Sequence, residues 1–457
     1  MPVRGARRNV EGGKDSMHRS ELGGPEPSLE EKREALRALL REVKATSAVL
    51  ARADHATRQR ALAAMADALE ADRDEILAAN AEDLRLAEEM ELDAPRKERL
   101  MLNPGRIRAM ADGLRALVDL PDPLAPRGEM WTRPNGLLVE RVPVPLGVIA
   151  IIYESRPNVT ADAAGLALKS GSAVVLRGGR EAHRSNVAIA ASLQKGLRAA
   201  GLPEKSAVVV PWTDRELVEV VLTARGLVDL AIPRGGHGLI QYVVRTAQVP
   251  TLETGVGNNH LFVDRSADFA KATRIVVDAK TDRPAVCNAL ETLLVHREIA
   301  EAWLPEAGRA LVDAGVELRG CPESVRILRS HGISVREATE ADWETEYLDL
   351  ILAVRVVDGL DEALAHIARY GTGHSEAIVA EDREAAEAFL AAVDAAAVYH
   401  NASTRFTDGG EFGFGAEMGI STQKLHARGP VGPRELVSYK YVVRGDGQVR
   451  GFRAVDR

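Results

Sequence analysis

The 457-residue sequence predicts an α/β fold in which helices cover both faces of a parallel β-sheet. From position 145 onward, short continuous apolar runs alternate with segments of helical periodicity. Runs of about four to seven apolar residues are typical of strands that are buried on both faces, as in parallel sheets. Hydrophobic residues make up 46% of the chain, which is enough for a large core, and the length fits two or three domains.

The first α/β series contains four predicted strands, each followed by a predicted helix. The strands cover residues 147–153, 173–176, 207–210 and 227–232, and the helices cover residues 159–169, 185–200, 214–222 and 238–246. Ligands bind at the carboxyl ends of the strands in open parallel sheets. We therefore expect the loops 154–158, 177–181, 211–213 and 233–238 to carry functional residues.

The segments around this series give fewer indications of chemistry. Residues 1–28 are polar and rich in Gly, Pro and Arg, which predicts a disordered tail, and the helical block that begins at Ser28 carries no evident functional residue. The turn Pro134-Asn135-Gly136 predicts a two-stranded hairpin. A second α/β stretch has predicted strands at 290–296, 348–357 and 377–380, and a C-terminal strand is predicted at 435–444.

The charge and hydropathy of the chain argue against several classes of function. The net charge is −8 and neither half carries a long basic run, so nucleic acid is not the expected partner. No apolar stretch approaches the roughly 18 residues of a membrane span. The N-terminus also lacks the apolar segment of a secretory signal. We expect a cytoplasmic protein that does not bind membranes.

The two cysteines, Cys287 and Cys321, lack the CxxC spacing of a zinc site, and a cytosolic chain of this length needs no disulfide. Lys280 and Arg283 precede Cys287, and an apparent helix start lies nearby. Positive charge and helix N–H groups both favour the thiolate, which is the nucleophilic form. The same pattern also suits a small buried residue, so the spacing alone leaves both interpretations open.

Two glycine pairs lie at predicted strand ends. Gly178-Gly179 follows a strand directly, and Gly235-Gly236 opens a helix. Backbone of this kind can approach phosphate groups closely, although such glycines also form simple tight turns. Neither pair belongs to a GxGxxG motif, so the usual dinucleotide fingerprint is absent from the sequence.

Five segments carry a resemblance to a known family. They are PLGVIAIIYESRPN (145–158), LRGG (176–179), IPRGG (232–236), AKTDRPAVCN (279–288) and the long run 399–428. Together they resemble the γ-glutamyl phosphate reductases, a branch of the aldehyde dehydrogenase superfamily, and the similarity extends over nearly the whole chain after the tail. The long run is too distinctive for a chance match.

This resemblance implies an aldehyde dehydrogenase-like architecture of three parts. A Rossmann-type NADP-binding domain would cover residues 29–252, and an α/β catalytic domain would cover residues 253–428. The hairpin 130–145 and the C-terminal segment 429–457 would form a small β oligomerisation ribbon. A homo-oligomer is the expected assembly.

The resemblance also implies a reaction, the NADPH-dependent reduction of L-glutamyl 5-phosphate to L-glutamate 5-semialdehyde and phosphate. This is the second step of proline biosynthesis, and it would pass through a thioester on Cys287. Glutamate 5-kinase, the source of the labile acyl phosphate, is a candidate partner. Asn158 matches an asparagine that donates to the oxyanion in the superfamily, although it could also simply cap the following helix.

The remaining site residues are assigned by the same resemblance. Arg156, Lys280, Arg283 and Arg405 are candidates for binding the leaving phosphate, and the sequence does not rank them. Ser403, Thr404 and Phe406 would contact the amino-acid end of the substrate. For the cofactor, Arg177 and Arg180 would favour NADPH through its 2′-phosphate, and the pairs Gly178-Gly179 and Gly235-Gly236 would approach it. Glu346 would bind the nicotinamide ribose, or it is an ordinary charge ahead of a strand.

Glu253 keeps an alternative open. It precedes Cys287 at about the spacing of the base that activates water in hydrolytic aldehyde dehydrogenases, so a semialdehyde dehydrogenase that releases the free acid is the second hypothesis. A catalytically silent oligomeric scaffold on the same fold is the third. The run 399–428 favours the phosphate-dependent enzyme over both.

Overall fold

The computed structural model describes residues 26–450, apart from the side chain at position 237, so most of the predicted tail lies outside the described residues. An N-terminal helical block opens this part of the chain, and Ser28 begins it through a capping box with Glu31. Apolar residues of the first, second, third and fifth helices belong to the core of the first sheet, whereas Leu100 of the fourth packs with Ala87 and Ala182. The helices are α1 (Leu29–Leu50), α2 (His55–Ala71), α3 (Arg73–Glu89), α4 (Ala94–Leu100) and α5 (Pro104–Asp119).

The predicted hairpin is confirmed. Strands β1 (Met130–Thr132) and β2 (Leu138–Pro145) pair in antiparallel orientation, with Met130 opposite Glu140. Gly136 lies in the connecting turn with φ +84°, a conformation that glycine adopts without strain.

The first sheet is parallel, with the strand order β5-β4-β3-β6. All residues of β3 and β4 are buried, because helices pack on both faces. The sequence placed the last strand three residues too early, because residues 227–229 form a turn. The strands are β3 (Val148–Tyr153), β4 (Ala173–Arg177), β5 (Ala207–Val209) and β6 (Leu230–Arg234), and the helices are α6 (Asn158–Lys169), α7 (His183–Ala199), α8 (Glu216–Leu222) and α9 (His237–Thr246).

The second sheet is also parallel and has seven strands, in the order β10-β9-β11-β8-β7-β12-β13. Its strands are β7 (Asn259–Val263), β8 (Leu290–His296), β9 (Glu317–Gly320), β10 (Arg336–Glu337), β11 (Ile351–Val357), β12 (Ser375–Val379) and β13 (Ala397–His400). Its helices are α10 (Phe269–Thr281), α11 (Arg297–Asp313), α12 (Pro322–Ser330), α13 (Glu340–Glu344), α14 (Leu360–Tyr370) and α15 (Arg383–Ala392).

After the second sheet the chain returns to the first core. Met418, Ala427 and Val431 pack there, next to the short pair β14 (Ile420–Ser421) and β15 (Gly429–Pro430). The last strand, β16 (Val437–Arg444), pairs with β2 over eight residues and completes a three-stranded ribbon. The return to the first core at Met418 precedes the predicted boundary at residue 428, so the catalytic unit and the following segment interleave there. Among the described residues, no helix combines the length and apolarity needed to cross a membrane.

Candidate active site

A cleft of about 1640 Å³ lies where the carboxyl-end loops of the first sheet face the turn before β8. We call its two parts the cofactor end and the cysteine end. The cofactor end consists of Arg177, Gly179, Arg180, Gly235 and Gly236. The cysteine end consists of Arg156, Arg234, Cys287, Glu346 and Glu417, with Arg99, Arg283 and Arg405 near it in the same cleft.

Cys287 lies in a turn between α10 and β8, and its side chain is half-buried in the cleft. Two interactions hold the backbone of this turn. Asn259 Nδ2 donates to the carbonyl oxygens of Cys287 at 2.8 Å and Ala289 at 2.6 Å. Gly257 packs so closely that a Cβ there would overlap the Cys287 carbonyl oxygen. The turn therefore presents Cys287 from a rigid support.

The electrostatic environment of Cys287 differs from the prediction. Burial raises the pKa of the thiol to about 11; Arg234 acts in the opposite direction, and Glu417 and Glu346 raise the pKa further. The expected helix start is also wrong, because residues 282–289 form turns that lead into a strand. The cation that most favours the thiolate is therefore Arg234, a residue from the other sheet.

Lys280 does not face the cleft, and its assignment to the phosphate is wrong. Its Nζ forms an ion pair with Glu291 Oε2 at 2.7 Å, and both side chains are completely buried. Burial raises the pKa of Glu291 to about 7 and lowers that of Lys280. Glu291 Oε1 accepts a hydrogen bond from the backbone N–H of Leu348, two residues after Glu346. Lys280 therefore supports the wall of the cysteine end from behind.

Four arginine side chains at or near the cysteine end make no hydrogen bond or ion pair with any described group: Arg99, Arg156, Arg234 and Arg283. Burial lowers the pKa of Arg156 to about 10, and the charges of Arg234 and Arg99 add to this effect. Cationic side chains held close together without protein partners suit an anionic ligand. Arg156 and Arg283 thus remain good candidates for the phosphate.

The segment 403–407 braces the cysteine turn and does not line the cleft, with the exception of Arg405. Ser403 and Thr404 are both buried. Ser403 Oγ accepts from Arg405 N at 3.3 Å, and Thr404 Oγ1 donates to Asn288 O at 2.8 Å. Phe406 is exposed outside the cleft. None of these three side chains lines the cleft, so the substrate contacts of Ser403, Thr404 and Phe406 stay a prediction.

Arg405 faces the cleft, but its charge is already partnered. Its Nε donates to Asp282 O at 2.6 Å, its Nη2 pairs with Asp282 Oδ2 at 3.2 Å, and its Nη1 donates to Asn288 Oδ1. It is a weaker phosphate candidate than the arginines without partners.

Asn158 is the first residue of α6, and it does not belong to the lining of the cleft. Its Nδ2 donates to Asp162 Oδ2 at 3.0 Å, an interaction that opposes the effect of burial on Asp162, whose pKa is raised to about 6. The charge of Arg234 reaches the same carboxylate. The oxyanion role of Asn158 stays a prediction, and it requires the amide to leave Asp162.

The cofactor end is suited to phosphate groups. Arg177 is buried, with Nη2 donating to Thr213 O at 2.8 Å, whereas its buried Nε has no partner among the described atoms. Gly236 N, at the start of α9, donates to Glu154 Oε2 at 3.0 Å. A Cβ on Gly235 would lie 2.6 Å from the same oxygen. The residues present fit a dinucleotide whose phosphates approach this backbone.

At the cofactor end, the prediction that Gly178 approaches the cofactor needs correction, because this residue does not line the cleft. A Cβ at this position would overlap the amide of Asn186 and lie 3.1 Å from the ring of Tyr153. Glycine is needed here because helix α7 packs closely against the end of β4. Gly179 and Arg180 do line the cleft.

The two glutamates that the resemblance singled out occupy different places. Glu346 lines the cleft, and its Oε1 accepts from Gly257 N at 2.8 Å, directly beside the cysteine turn. Glu253 lies outside the cleft lining, and Gln423 Nε2 donates to its Oε1 at 3.1 Å. This position does not favour Glu253 as a base that activates water at Cys287.

Sequence reasoning missed three cleft residues. Arg234 and Glu417 lie inside glycine-containing motifs, IPRGG (232–236) and the run 399–428. Arg99 belongs to α4, in the helical block to which no chemistry was assigned. Only the position of Arg234 at a predicted strand end could have identified it.

Comparison with known proteins agrees with this geometry. The sequence model of the aldehyde dehydrogenase family matches residues 29–317. The chain is 57% identical over 424 residues to the γ-glutamyl phosphate reductase of Symbiobacterium thermophilum, covering 91% of this chain and all of the relative. The crystal structure of the Thermotoga maritima γ-glutamyl phosphate reductase superposes with a TM-score of 0.88 at 48% identity, covering 91% of this chain and 99% of that one.

The chain therefore belongs to the aldehyde dehydrogenase family, whose fold takes a nicotinamide cofactor. Within that family it belongs with the γ-glutamyl phosphate reductases. The predicted fold class is confirmed.

Proposed function

We propose that this chain reduces L-glutamyl 5-phosphate to L-glutamate 5-semialdehyde and phosphate, the second step of proline biosynthesis. The observation that carries the proposal is the cysteine end of the cleft. There a cysteine on a braced turn faces arginines that have no protein partner. An acyl phosphate brings both the electrophile for the thiol and the negative charge for the arginines.

In the proposed reaction the Cys287 thiolate attacks the acyl carbon. A C–S bond forms, the acyl C–O bond breaks, and phosphate departs towards the arginines with the electron pair and takes up one proton from water. Bound NADPH supplies the hydride that reduces the thioester. The thiohemiacetal then collapses, the aldehyde forms, and Cys287 regains its thiolate. Asn158 and the Cys287 backbone N–H are the candidate donors to the oxyanion.

The preference for NADPH rests on arginines at the cofactor end. Arg177 ends β4 and Arg180 follows it, at a place where a cation favours a 2′-phosphate over a free hydroxyl. The acid beside them, Glu181, accepts from Ser155 N at 2.9 Å and from Ser155 Oγ at 2.6 Å. Because Glu181 is held there, its charge is not directed at a ribose.

The experiment that tests the function measures NADP⁺ reduction with glutamate semialdehyde, with and without phosphate. The reductase requires phosphate because phosphate resolves the thioester. A hydrolytic enzyme would reduce NADP⁺ without phosphate and would lose this activity in Glu253→Gln. A silent scaffold would show neither activity.

We also propose that the ribbon formed by β1, β2 and β16 mediates a homo-oligomer. Its exposed large side chains are Met130, Trp131, Tyr439, Tyr441 and Val443. Sedimentation of the wild type against Tyr441→Glu tests this: the variant should dissociate, whereas an unchanged mass would contradict the proposal.

Glutamate 5-kinase stays a proposed partner, because the acyl phosphate is labile and its transfer would benefit from contact. Co-sedimentation with the kinase tests the contact directly. The cytoplasm is the proposed compartment, because Cys287 must remain a free thiol there.

A further inference from the structure

The end of β6 places in the cysteine end a cation whose individual role the proposed reaction leaves unassigned. Arg234 is the last residue of that strand, and it lines the same cleft as Cys287. Its guanidinium makes no hydrogen bond or ion pair with any described group. A partly buried arginine without a partner costs desolvation energy, so a ligand anion is the expected compensation.

The space that the Arg234 side chain occupies depends on a glycine in the neighbouring backbone. Gly419 has φ +139°, and a Cβ there would lie 3.0 Å from Arg234 Nη1 and 3.3 Å from its Cδ. The same Cβ would overlap the methyl group of Thr254. Glycine at position 419 therefore leaves the space in which the arginine side chain lies.

Arg234 acts electrostatically on Cys287 and on other ionisable groups at the cysteine end. Burial raises the pKa of Cys287, of Glu417 and of Asp162 beside Asn158, and the charge of Arg234 opposes this rise at all three groups. Arg156 lies within electrostatic reach of both Arg234 and Cys287. Arg234 ends β6, Arg156 lies in the loop after the adjacent strand β3, and both line the cleft together with Cys287.

We propose that Arg234 is a catalytic residue that binds the phosphate of the acyl phosphate, together with Arg156, beside Cys287. This inference rests on the proposed function and assigns the phosphate subsite within it. When the C–S bond forms and the acyl C–O bond breaks, the electron pair goes to a phosphate oxygen held by the guanidinium. A planar guanidinium contacts two phosphate oxygens in a fixed bidentate geometry, whereas an ammonium acts as a point charge on a flexible side chain.

The test compares Arg234→Gln and Arg234→Lys in the oxidative direction, where phosphate is a substrate. We expect Arg234→Gln to raise the KM for phosphate about tenfold or more, because it removes a charge-assisted contact. Arg234→Lys should fall between the glutamine variant and the wild type. The Kd for NADP⁺, measured by fluorescence, should stay within about twofold for both. Arg245→Gln removes the same charge from an exposed site on α9 and serves as the control.

A second measurement reports on the thiol independently of turnover. In a Cys321→Ser background, the alkylation of Cys287 by iodoacetamide at pH 8 should slow in Arg234→Gln, because the thiolate loses its main cation. Gly419→Ala should act in the same direction by displacing the guanidinium.

The outcomes separate this inference from the function itself. A raised Kd for NADP⁺ with an unchanged KM for phosphate would overturn it and assign Arg234 to the cofactor. Unchanged KM and unchanged alkylation would also overturn it. If the wild type needed no phosphate, the proposed function would fail, whereas slower alkylation in Arg234→Gln would still support the contact with Cys287.

Discussion

The cofactor end and the cysteine end of the cleft are built in different ways. The cofactor end comes from consecutive β–α loops of one parallel sheet, and it uses backbone as much as side chains. The cysteine end combines segments that are far apart in sequence, near residues 156, 234, 287, 346 and 417. At the first end, only Gly178 was misplaced by sequence reasoning. At the second, three predicted ligands are buried supports, namely Lys280, Ser403 and Thr404, and Phe406 is exposed.

The difference shows what topology determines and what it leaves open. The carboxyl end of a parallel strand must face the cleft, so the loop that follows it is placed by the sheet. In an irregular turn, the direction of each side chain depends on tertiary packing. Lys280 shows this, because it is close to Cys287 in sequence yet points into the core towards Glu291.

The largest effect is expected from the nucleophile itself. Cys287→Ser should lower phosphate-dependent NADP⁺ reduction by about 10³-fold or more, because a serine hydroxyl is a much weaker nucleophile without a base. Cys321→Ser is the matched control, since Cys321 lies outside the cleft lining and caps α12 through its sulfur. It should leave turnover nearly unchanged. Full turnover in Cys287→Ser would show that the cysteine end is not the reacting end.

Lys280→Met tests whether this residue is a support or a ligand. Removing one partner of a completely buried ion pair is expected to cost about 3–5 kcal/mol of unfolding free energy, because the other charge stays unpaired. The measurement is urea denaturation. The double variant Lys280→Met/Glu291→Leu should recover much of that loss. If Lys280→Met instead raised the KM for phosphate and left the urea midpoint unchanged, the residue would be a ligand after all.

Asn259→Leu tests the brace beneath Cys287. The change removes the two hydrogen bonds to the carbonyl oxygens at positions 287 and 289 and the one that Asn259 Oδ1 accepts from Ser375 N, and the cysteine turn should shift. A displacement of about 1 Å at a reacting group can lower kcat by about 10²-fold. The Kd for NADP⁺ should not change, because the cofactor end is separate. Asn259→Asp is the conservative variant: it keeps the shape but loses the N–H donor, so it should not rescue kcat.

Sequence reasoning thus reached the fold and one end of the site more fully than the other. The parallel sheet, the hairpin and Cys287 followed from apolar runs, from a Pro-Asn-Gly turn and from motif resemblance. Arg234 was within reach because it ends a predicted strand. Arg99 was not, because only the packing of α4 against α3 and the turn after β4 brings it to the cleft. The interactions of Asn259 were also out of reach, since its partners lie about 30 residues further along the chain in an irregular turn.

The smallest expected effect concerns the pH dependence of stability in the sheet below the cysteine end. Burial lowers the pKa of His366 to about 3 and that of His374 to about 4, and both side chains are buried. The unfolded chain binds a proton at each below pH 6.5, whereas the folded chain does not. The stabilising contribution of each neutral histidine is therefore fully present above pH 6.5. As the pH falls towards 4, the free energy of unfolding decreases by about 1.4 kcal/mol per pH unit for each histidine.

Urea denaturation between pH 7 and pH 5 measures this slope. His366 faces His260, Arg355 and Arg369. Positive charge on these groups lowers the pKa of His366 further than burial alone does. The neutral form of His366 is therefore the one that fits the core. His366→Phe should reduce the slope of unfolding free energy against pH by the contribution of one proton, about 1.4 kcal/mol per pH unit. The reason is that an aromatic ring without titratable nitrogens fills the place beside Trp343 and Tyr370. A slope that stayed the same in this variant would mean that His366 already carries its proton in the folded chain, and the core of the second sheet would then tolerate a charge that its packing argues against.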